Sequence, residues 1–200
     1  GAQVITFTGA LAAANGSVPR VELPASLNFD QSGSVAFTSG VASFNVRLFK
    51  VETASIYVKQ GGVQKSNIES VTVSPGAIGG FLVNIASTQA LSTTFSGTNV
   101  ITATDAYSNV VPGFDASVNN VQATITVSPA CATTPTIVGL GSGGNNVLNR
   151  NTDFASGVAN LIANGNSLRL NSACAGAHRF RFSLVSNNAI YGESGSITFN

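Results

Sequence analysis

The only imidazole in the chain is His178. A Ser–His–Asp device would need it beside a nucleophile and an orienting acid. No Gly-x-Ser-x-Gly elbow occurs, and serine is too abundant for any pairing with His178 to carry information, so His178 reads as a strand-edge residue. Asp105, Asn109 and Asp115 flank one turn and could offer oxygens to Ca²⁺. Calcium takes six to eight oxygen ligands, usually with several carboxylates. Asp and Asn in a turn more often bond their own backbone, and turn formation is the better reading. Arg179 and Arg181 fall on the wet face of one strand, with Arg169 nearby in sequence. They are either a small basic patch for an anionic glycan or solubilising charge on an exposed sheet. The run Gly141-Ser142-Gly143-Gly144 has no Lys-Ser/Thr after it, so it reads as a flexible loop and contact surface rather than a phosphate cradle.

Cys131 and Cys174 are the only cysteines. They could form a disulfide, worth roughly 3–4 kcal/mol for a loop of about forty residues, or stay as two free thiols. The exported look of the rest of the chain favours the disulfide. Two cysteines and one histidine do not make the four-ligand clusters zinc prefers, so neither metal nor cofactor is expected.

Composition narrows the function further. Of 200 residues 44% are hydrophobic and only 8% charged, against a usual charged share of about 25%. Disordered chains combine low hydrophobicity with high net charge, so this chain folds. A net charge of +1 leaves no electrostatic footprint for nucleic acid. The longest apolar runs fall short of the roughly 20 residues that span a bilayer, so no membrane insertion is expected. Eight acidic residues and one histidine in no recognisable constellation offer no catalytic machinery, and the chain is read as a non-enzyme. Lys is confined to Lys50, Lys59 and Lys65, and Glu to Glu22, Glu52, Glu69 and Glu193. Solubility then rests on hydroxyls and amides, a composition shared with secreted bacterial surface proteins, so an extracellular location is expected. Gly1 follows no initiator Met and no basic n-region, and reads as a processed end or excised boundary.

The elements that must position these residues are strands. In Val41–Phe49, Ala42, Phe44, Val46 and Leu48 alternate with Ser43, Asn45 and Arg47. Val121, Ala123, Ile125 and Val127 alternate with Gln122, Thr124 and Thr126, and Phe180, Phe182 and Leu184 with Arg179, Arg181 and Ser183. Period two with one dry face predicts antiparallel strands. Shorter strands are predicted at Val4–Thr8, Ala54–Lys59, Gly80–Ala86, Asn99–Thr104, Gly157–Ala163 and Ser194–Phe199, separated by turns such as Ser32-Gly33, Pro112-Gly113 and Asn164-Gly165. No segment carries a capped 3.6-residue pattern. The fold class is all-β.

An internal repeat organises the strands. Ser39-Gly40-Val41-Ala42 returns as Ser156-Gly157-Val158-Ala159, Ile5-Thr6 as Ile125-Thr126, and Glu69-Ser70 as Glu193-Ser194, each about 120 residues on. This divides the chain into an abbreviated unit at 1–73 and a complete one at 74–200. The first lacks a counterpart of the opening strands at 76–120, which would be missing or supplied from elsewhere. A sandwich so shortened exposes sheet edges and core, inviting pairing.

The segment Ile101-Thr102-Ala103-Thr104-Asp105-Ala106-Tyr107-Ser108-Asn109, followed by Val110-Val111-Pro112-Gly113-Phe114, resembles the strand–turn signature of filamin-type and other immunoglobulin-like tandem repeats of large bacterial surface proteins. Ser39–Lys50 resembles a later strand of the same repeats, and Val71-Thr72-Val73-Ser74-Pro75-Gly76 their inter-repeat joint. The resemblance implies tandem immunoglobulin-like β-sandwiches serving as spacers or adhesive modules. It also raises an intramolecular Lys–Asn bond, excluded after Pro75 for want of lysine and unmarked at Lys50 or Lys59.

Three functions follow as expectations. The first is a structural and adhesive region of a bacterial surface stalk or adhesin, with neighbouring repeats, glycans or a host or cell-surface protein as partners. The second is a pilus-like filament subunit joined by strand exchange, with Gln3, Val4, Ile5, Thr6, Phe7 and Thr8 as candidate donor strand; the bland alternative is that this strand pairs in its own sheet. The third is a carbohydrate-binding accessory module, which the absence of Trp and the presence of only Tyr57, Tyr107 and Tyr191 weigh against.

Overall fold

The computed structural model describes residues 1–22 and 26–200, and these hold strands and turns without a helix. The chain folds as two compact units, Gly1–Pro75 and Gly76–Asn200.

The first unit contains β1 (Ala2–Thr8), β2 (Arg20–Glu22), β3 (Leu27–Asn28), β4 (Ser32–Ala36), β5 (Asn45–Arg47), β6 (Glu52–Gln60), β7 (Val63–Gln64) and β8 (Glu69–Val73). One sheet runs β4-β1-β6-β7 with β8 also on β6, and the other runs β3-β2-β5. Alternation turns Ile5 and Phe7 of β1 inward, where they meet Val35 of β4, Ala54 of β6, and Val21, Leu27 and Phe29. Phe44 packs edge-on against Phe7 at 4.7 Å between ring centres.

The second unit contains β9 (Gly80–Ile85), β10 (Thr88–Gln89), β11 (Asn99–Thr104), β12 (Val121–Val127), β13 (Thr136–Val138), β14 (Val147–Leu148), β15 (Val158–Asn160), β16 (Arg169–Asn171), β17 (Gly176–Leu184), β18 (Tyr191–Glu193) and β19 (Ile197–Phe199). Its main sheet runs β10-β19-β17-β12-β14 with β18 also on β17; β15-β11-β9 and β13-β16 complete the unit. Val121 and Ala123 of β12 and Phe180, Phe182 and Leu184 of β17 share a core with Phe81 of β9 and Ile101 and Ala103 of β11. Leu140, Leu148, Leu161, Leu168 and Leu170 are fully buried in it, each worth about 1.5–3 kcal/mol relative to exposure. Buried Gln89 clips the loop after β9, accepting from Ser96 N–H and donating to the Ala86 and Ser96 carbonyls, so that Phe95 is carried into this core.

The Ser-Gly repeat has the same backbone geometry in both units. Ser39 and Gly40 have φ of 49° and 80°, Ser156 and Gly157 of 48° and 81°. Each pair is a two-residue hairpin turn, closed by reciprocal main-chain bonds between Thr38 and Val41 and between Ala155 and Val158. Positive φ at both central positions is the geometry that matches strand twist and favours glycine. Ile5-Thr6 and Ile125-Thr126 both lie on the strand that pairs with a nine-residue partner, β6 or β17.

After that turn the units diverge. In the second, β15 pairs with β11, and β11 with β9. In the first, the single strand expected over Val41–Phe49 shrinks to β5, and Ala42, Ser43 and Phe44 join no ladder. Alternation marks which side chains seek a core but cannot provide a partner strand, and no counterpart of β9 and β11 lies beside these residues among those described. The expected strand at Gly157–Ala163 likewise shortens to β15, because Leu161–Gly165 turns, with Asn164 at φ 55° and Gly165 at 81°.

Candidate functional site

Cys131 and Cys174 are joined by a disulfide, with Cα atoms 5.6 Å apart and 43 residues of separation. Cys131 follows β12 and Cys174 precedes β17, just beyond the end of their ladder at Val127 and Arg179. The bond therefore locks the last open end of the unit's central strand pair.

The Gly141–Gly144 run, read from its composition as a flexible loop, is bonded at Gly141 and Ser142 to a cluster of polar side chains. Asp153, fully buried, accepts from the N–H groups of Asn149 and Arg150 at 2.8 Å, from Arg150 Nε at 2.9 Å and from Asn166 Nδ2 at 3.2 Å. Asn166 Oδ1 in turn accepts from Gly141 N–H at 2.9 Å and from the Arg150 guanidinium at 2.6 Å. Asn149 Oδ1 accepts from Ser142 N–H at 2.8 Å. A tight turn leaves main-chain donors without partners, and here side-chain oxygens supply them. The legible signal was the density of Asn and Asp between Asn145 and Asn166, not the glycines.

Asp105 is buried and accepts from Gly76 N–H at 3.0 Å, Tyr107 N–H at 2.8 Å, Asn109 N–H at 2.9 Å and the Asn109 side-chain amide at 2.9 Å. Burial opposes the charge, but the Asn109 side chain and the N–H groups of Gly76, Asn109 and Tyr107 outweigh it and hold the carboxyl below its ordinary value. Asp115 Oδ1 accepts from the N–H and hydroxyl of Ser117, both at 2.8 Å. Each carboxylate organises its own turn. Among the described residues no three His, Cys, Asp or Glu side chains gather as a metal site requires.

His178 does not sit at a strand edge. It lies within β17, fully buried, with Nε2 3.2 Å from the Cys174 carbonyl and its ring edge-on to Phe199 at 5.2 Å. The strand begins at Gly176, three residues earlier than the alternation at Arg179 shows, so His178 shares the inward face of Phe180 and Phe182. Arg179 and Arg181 share the opposite face of β17. The Arg181 guanidinium lies 3.7 Å from the centre of the Tyr191 ring and donates to the Asn188 carbonyl. Arg169 is on β16, opposite Val138, in a different sheet. Lys50 lies 3.7 Å from Glu52, and Lys59 lies over the Tyr57 ring.

The candidate donor strand, Gln3–Thr8, falls in β1. Here β1 is bonded to β4 along Ala2–Thr6 and to β6 along Thr6–Thr8. A donor role would require it to leave both.

No family model and no curated protein matches the chain. Among solved structures it is similar to domains 4–9 of the surface layer protein SbsC, at 17% identity and a TM-score of 0.33, covering 98% of this chain and 21% of that one. It is similar to the adhesin InvE of Yersinia pseudotuberculosis at 13% identity and a TM-score of 0.40, covering 100% and 49%. A β-glycosidase from Bacteroides vulgatus shows 10% identity and a TM-score of 0.36, covering 97% and 24%. The chain thus spans about a fifth and about half of the first two. Likeness at this level leaves the chemistry to be read from the chain's own residues.

Proposed function

We propose that the chain is an extracellular, non-catalytic structural and adhesive module, an immunoglobulin-like repeat region of a bacterial surface stalk or adhesin. The Cys131–Cys174 bond carries this reading, because structural disulfides form and persist in oxidising compartments. The low-charge surface of hydroxyls and amides supports it, as does the way the polar side chains that could do chemistry are spent on turns: Asp105, Asp115 and Asp153 all bond local donors. The partners are neighbouring repeats, glycans or cell-surface proteins, with Arg179 and Arg181 as the basic contact on β17. The experiment is thiol alkylation and mild proteolysis on intact cells. A surface-accessible chain with both cysteines blocked from alkylation is expected; an inaccessible chain with two free thiols would overturn the reading.

A second reading, a self-assembling filament subunit joined by strand exchange, is favoured by one observation, the unladdered Ala42–Phe44 segment of the first unit. Light scattering and electron microscopy on the chain with and without residues 1–9 separate the two. Filaments that vanish on truncation support exchange of β1, and monodisperse particles in both samples remove it.

A further inference from the structure

Alternation along β17 puts Phe180, Phe182 and Leu184 in the core of the second unit and turns Arg181 and Ser183 the other way. Residues paired directly across strands share a face, so the register fixes what surrounds these two. Ser183 lies between Gln122 of β12 and Tyr191 of β18, and Arg181 lies between Thr124 and Glu193. The outer face of these three strands is thus an array of six polar side chains in two rows. An outward polar face is what any antiparallel sheet shows to water. Two details set this one apart. The Arg181 guanidinium passes over Glu193, its direct neighbour across the strands, and lies 3.7 Å from the centre of the ring of Tyr191, its diagonal neighbour, while donating to the Asn188 carbonyl at 2.7 Å. The Glu193 carboxylate forms no ion pair among the described residues. The second detail is the ring itself, which is 45% exposed although the cation lies over it.

We propose that this face binds a neutral saccharide, with Tyr191 as the ring on which a pyranose stacks and with Arg181 and Glu193 as donor and acceptor for its hydroxyls. A sugar hydroxyl both donates and accepts, so a cation and a carboxylate held side by side yet unpaired can each serve one hydroxyl of a vicinal pair. An anionic ligand would meet Glu193 and a cationic one Arg181, so a ligand without charge suits the pair best. The C–H face of a pyranose is an apolar surface that fits an aromatic ring, and tyrosine adds a polar tip to that ring. The guanidinium holds the ring in place before a ligand arrives, which lowers the ordering cost of binding. Gln122 and Thr124 extend the same face with an amide and a hydroxyl. Arg179 stands opposite Val127, beyond the bulge in β12 and outside the array. The site rests on the adhesive reading for a glycan as its partner, and adds that this glycan is neutral and anchored at Tyr191.

The test is NMR titration of the ¹⁵N-labelled full chain with methyl β-glucoside, methyl β-galactoside and methyl β-N-acetylglucosaminide, each to ~20 mM, and with methyl β-glucuronide as the charged counterpart. With at least one neutral glycoside, the amide signals of Thr124, Arg181, Tyr191 and Glu193 are expected to shift in a saturable way while those of the first unit stay fixed. The glucuronide is expected to bind no tighter. Tyr191→Ala should weaken binding about fivefold or more, and so should Glu193→Ala. Both side chains are exposed, and unchanged Phe180 and Phe182 signals report that either variant keeps its core. Arg179→Ala should change nothing. The proposal is overturned if no neutral glycoside moves these amides, if the Tyr191→Ala chain binds as well as the native one, or if the glucuronide binds several-fold tighter. That last result would make the face an anion contact centred on the arginines. None of these outcomes bears on thiol alkylation and proteolysis on intact cells, so the site can fail while the extracellular reading stands.

Discussion

A single carboxylate at Asp105 satisfies donors from Gly76, Tyr107 and Asn109, and so ties the start of the second unit to the turn after β11. Its folded-state pKa lies below the ordinary 3.8, despite burial, because those donors favour the anion. A depressed carboxyl contributes stability that is present above the unfolded pKa and is lost as pH falls through the folded one. Asp105→Ala is therefore expected to cost about 2–3 kcal/mol at neutral pH, with the gap to the native protein narrowing in strong acid. Urea unfolding of both proteins at neutral and acid pH checks this; a gap that does not change with pH would mean the carboxylate matters by shape rather than charge. Asp153 makes a sterner case. It is fully buried, and Asp153→Ala would strand the Arg150 guanidinium and the Asn149 and Arg150 N–H groups at once. Breaking a buried pair from one side costs about 3–5 kcal/mol. The expected result is a destabilised second unit and faster proteolysis within Gly139–Asn149, measured by limited digestion.

At the scale of elements, the paired Ser-Gly turns allow one substitution to be read in two surroundings. Gly40 and Gly157 share a φ near 80°, where a side chain is strained by roughly 1–2 kcal/mol. Gly40→Ala faces open space and is expected to cost only that strain. Gly157→Ala adds contacts of 2.6 Å to Val111 O and 2.8 Å to Val110 Cγ1, so it should cost clearly more in thermal unfolding. Equal costs would mean that β11 and its trailing segment do not stand against the turn. The same comparison shows what could be read from residues alone. β12 and the latter part of β17 were legible because each has a dry and a wet face, whereas Ser39-Gly40 and Ser156-Gly157 stood out only as a repeat, and the turns they make show in the backbone. Val41–Phe44 shows the same alternation, yet pairing is a property of two segments. The repeat already indicated that the counterpart of 76–120 was lacking, but the alternation alone still suggested a strand there. His178 was misread because Gly176 and Ala177 carry no polarity to reveal where β17 begins. The clamp of Asp153, Arg150 and Asn166 spans too many residues for any short motif to announce it, while the Cys131–Cys174 pair needed only a count of two.

Each unit encloses its own apolar core, and only the second carries a disulfide. That asymmetry predicts how the whole chain responds to reduction. Closing 43 residues restricts the unfolded second unit and leaves the unfolded ensemble of Gly1–Pro75 unchanged. In the chain-entropy account a loop of this length is worth about 4 kcal/mol. For a domain of this size each kcal/mol shifts the midpoint by about 3–5 °C, so the loss comes to about 12–20 °C. Calorimetry of the native chain and of the Cys131→Ser, Cys174→Ser double variant is expected to show one transition lowered by that amount and another left in place. Reductant should move the native trace onto that of the variant. The geometry also says where the loss begins: the bond closes the β12–β17 ladder beyond Val127 and Arg179, so amides at that end should lose exchange protection before those at Val121 and Leu184. If both transitions fell together, the two units would be unfolding as one cooperative body, and the first unit's stability would owe more to the second than its separate core implies.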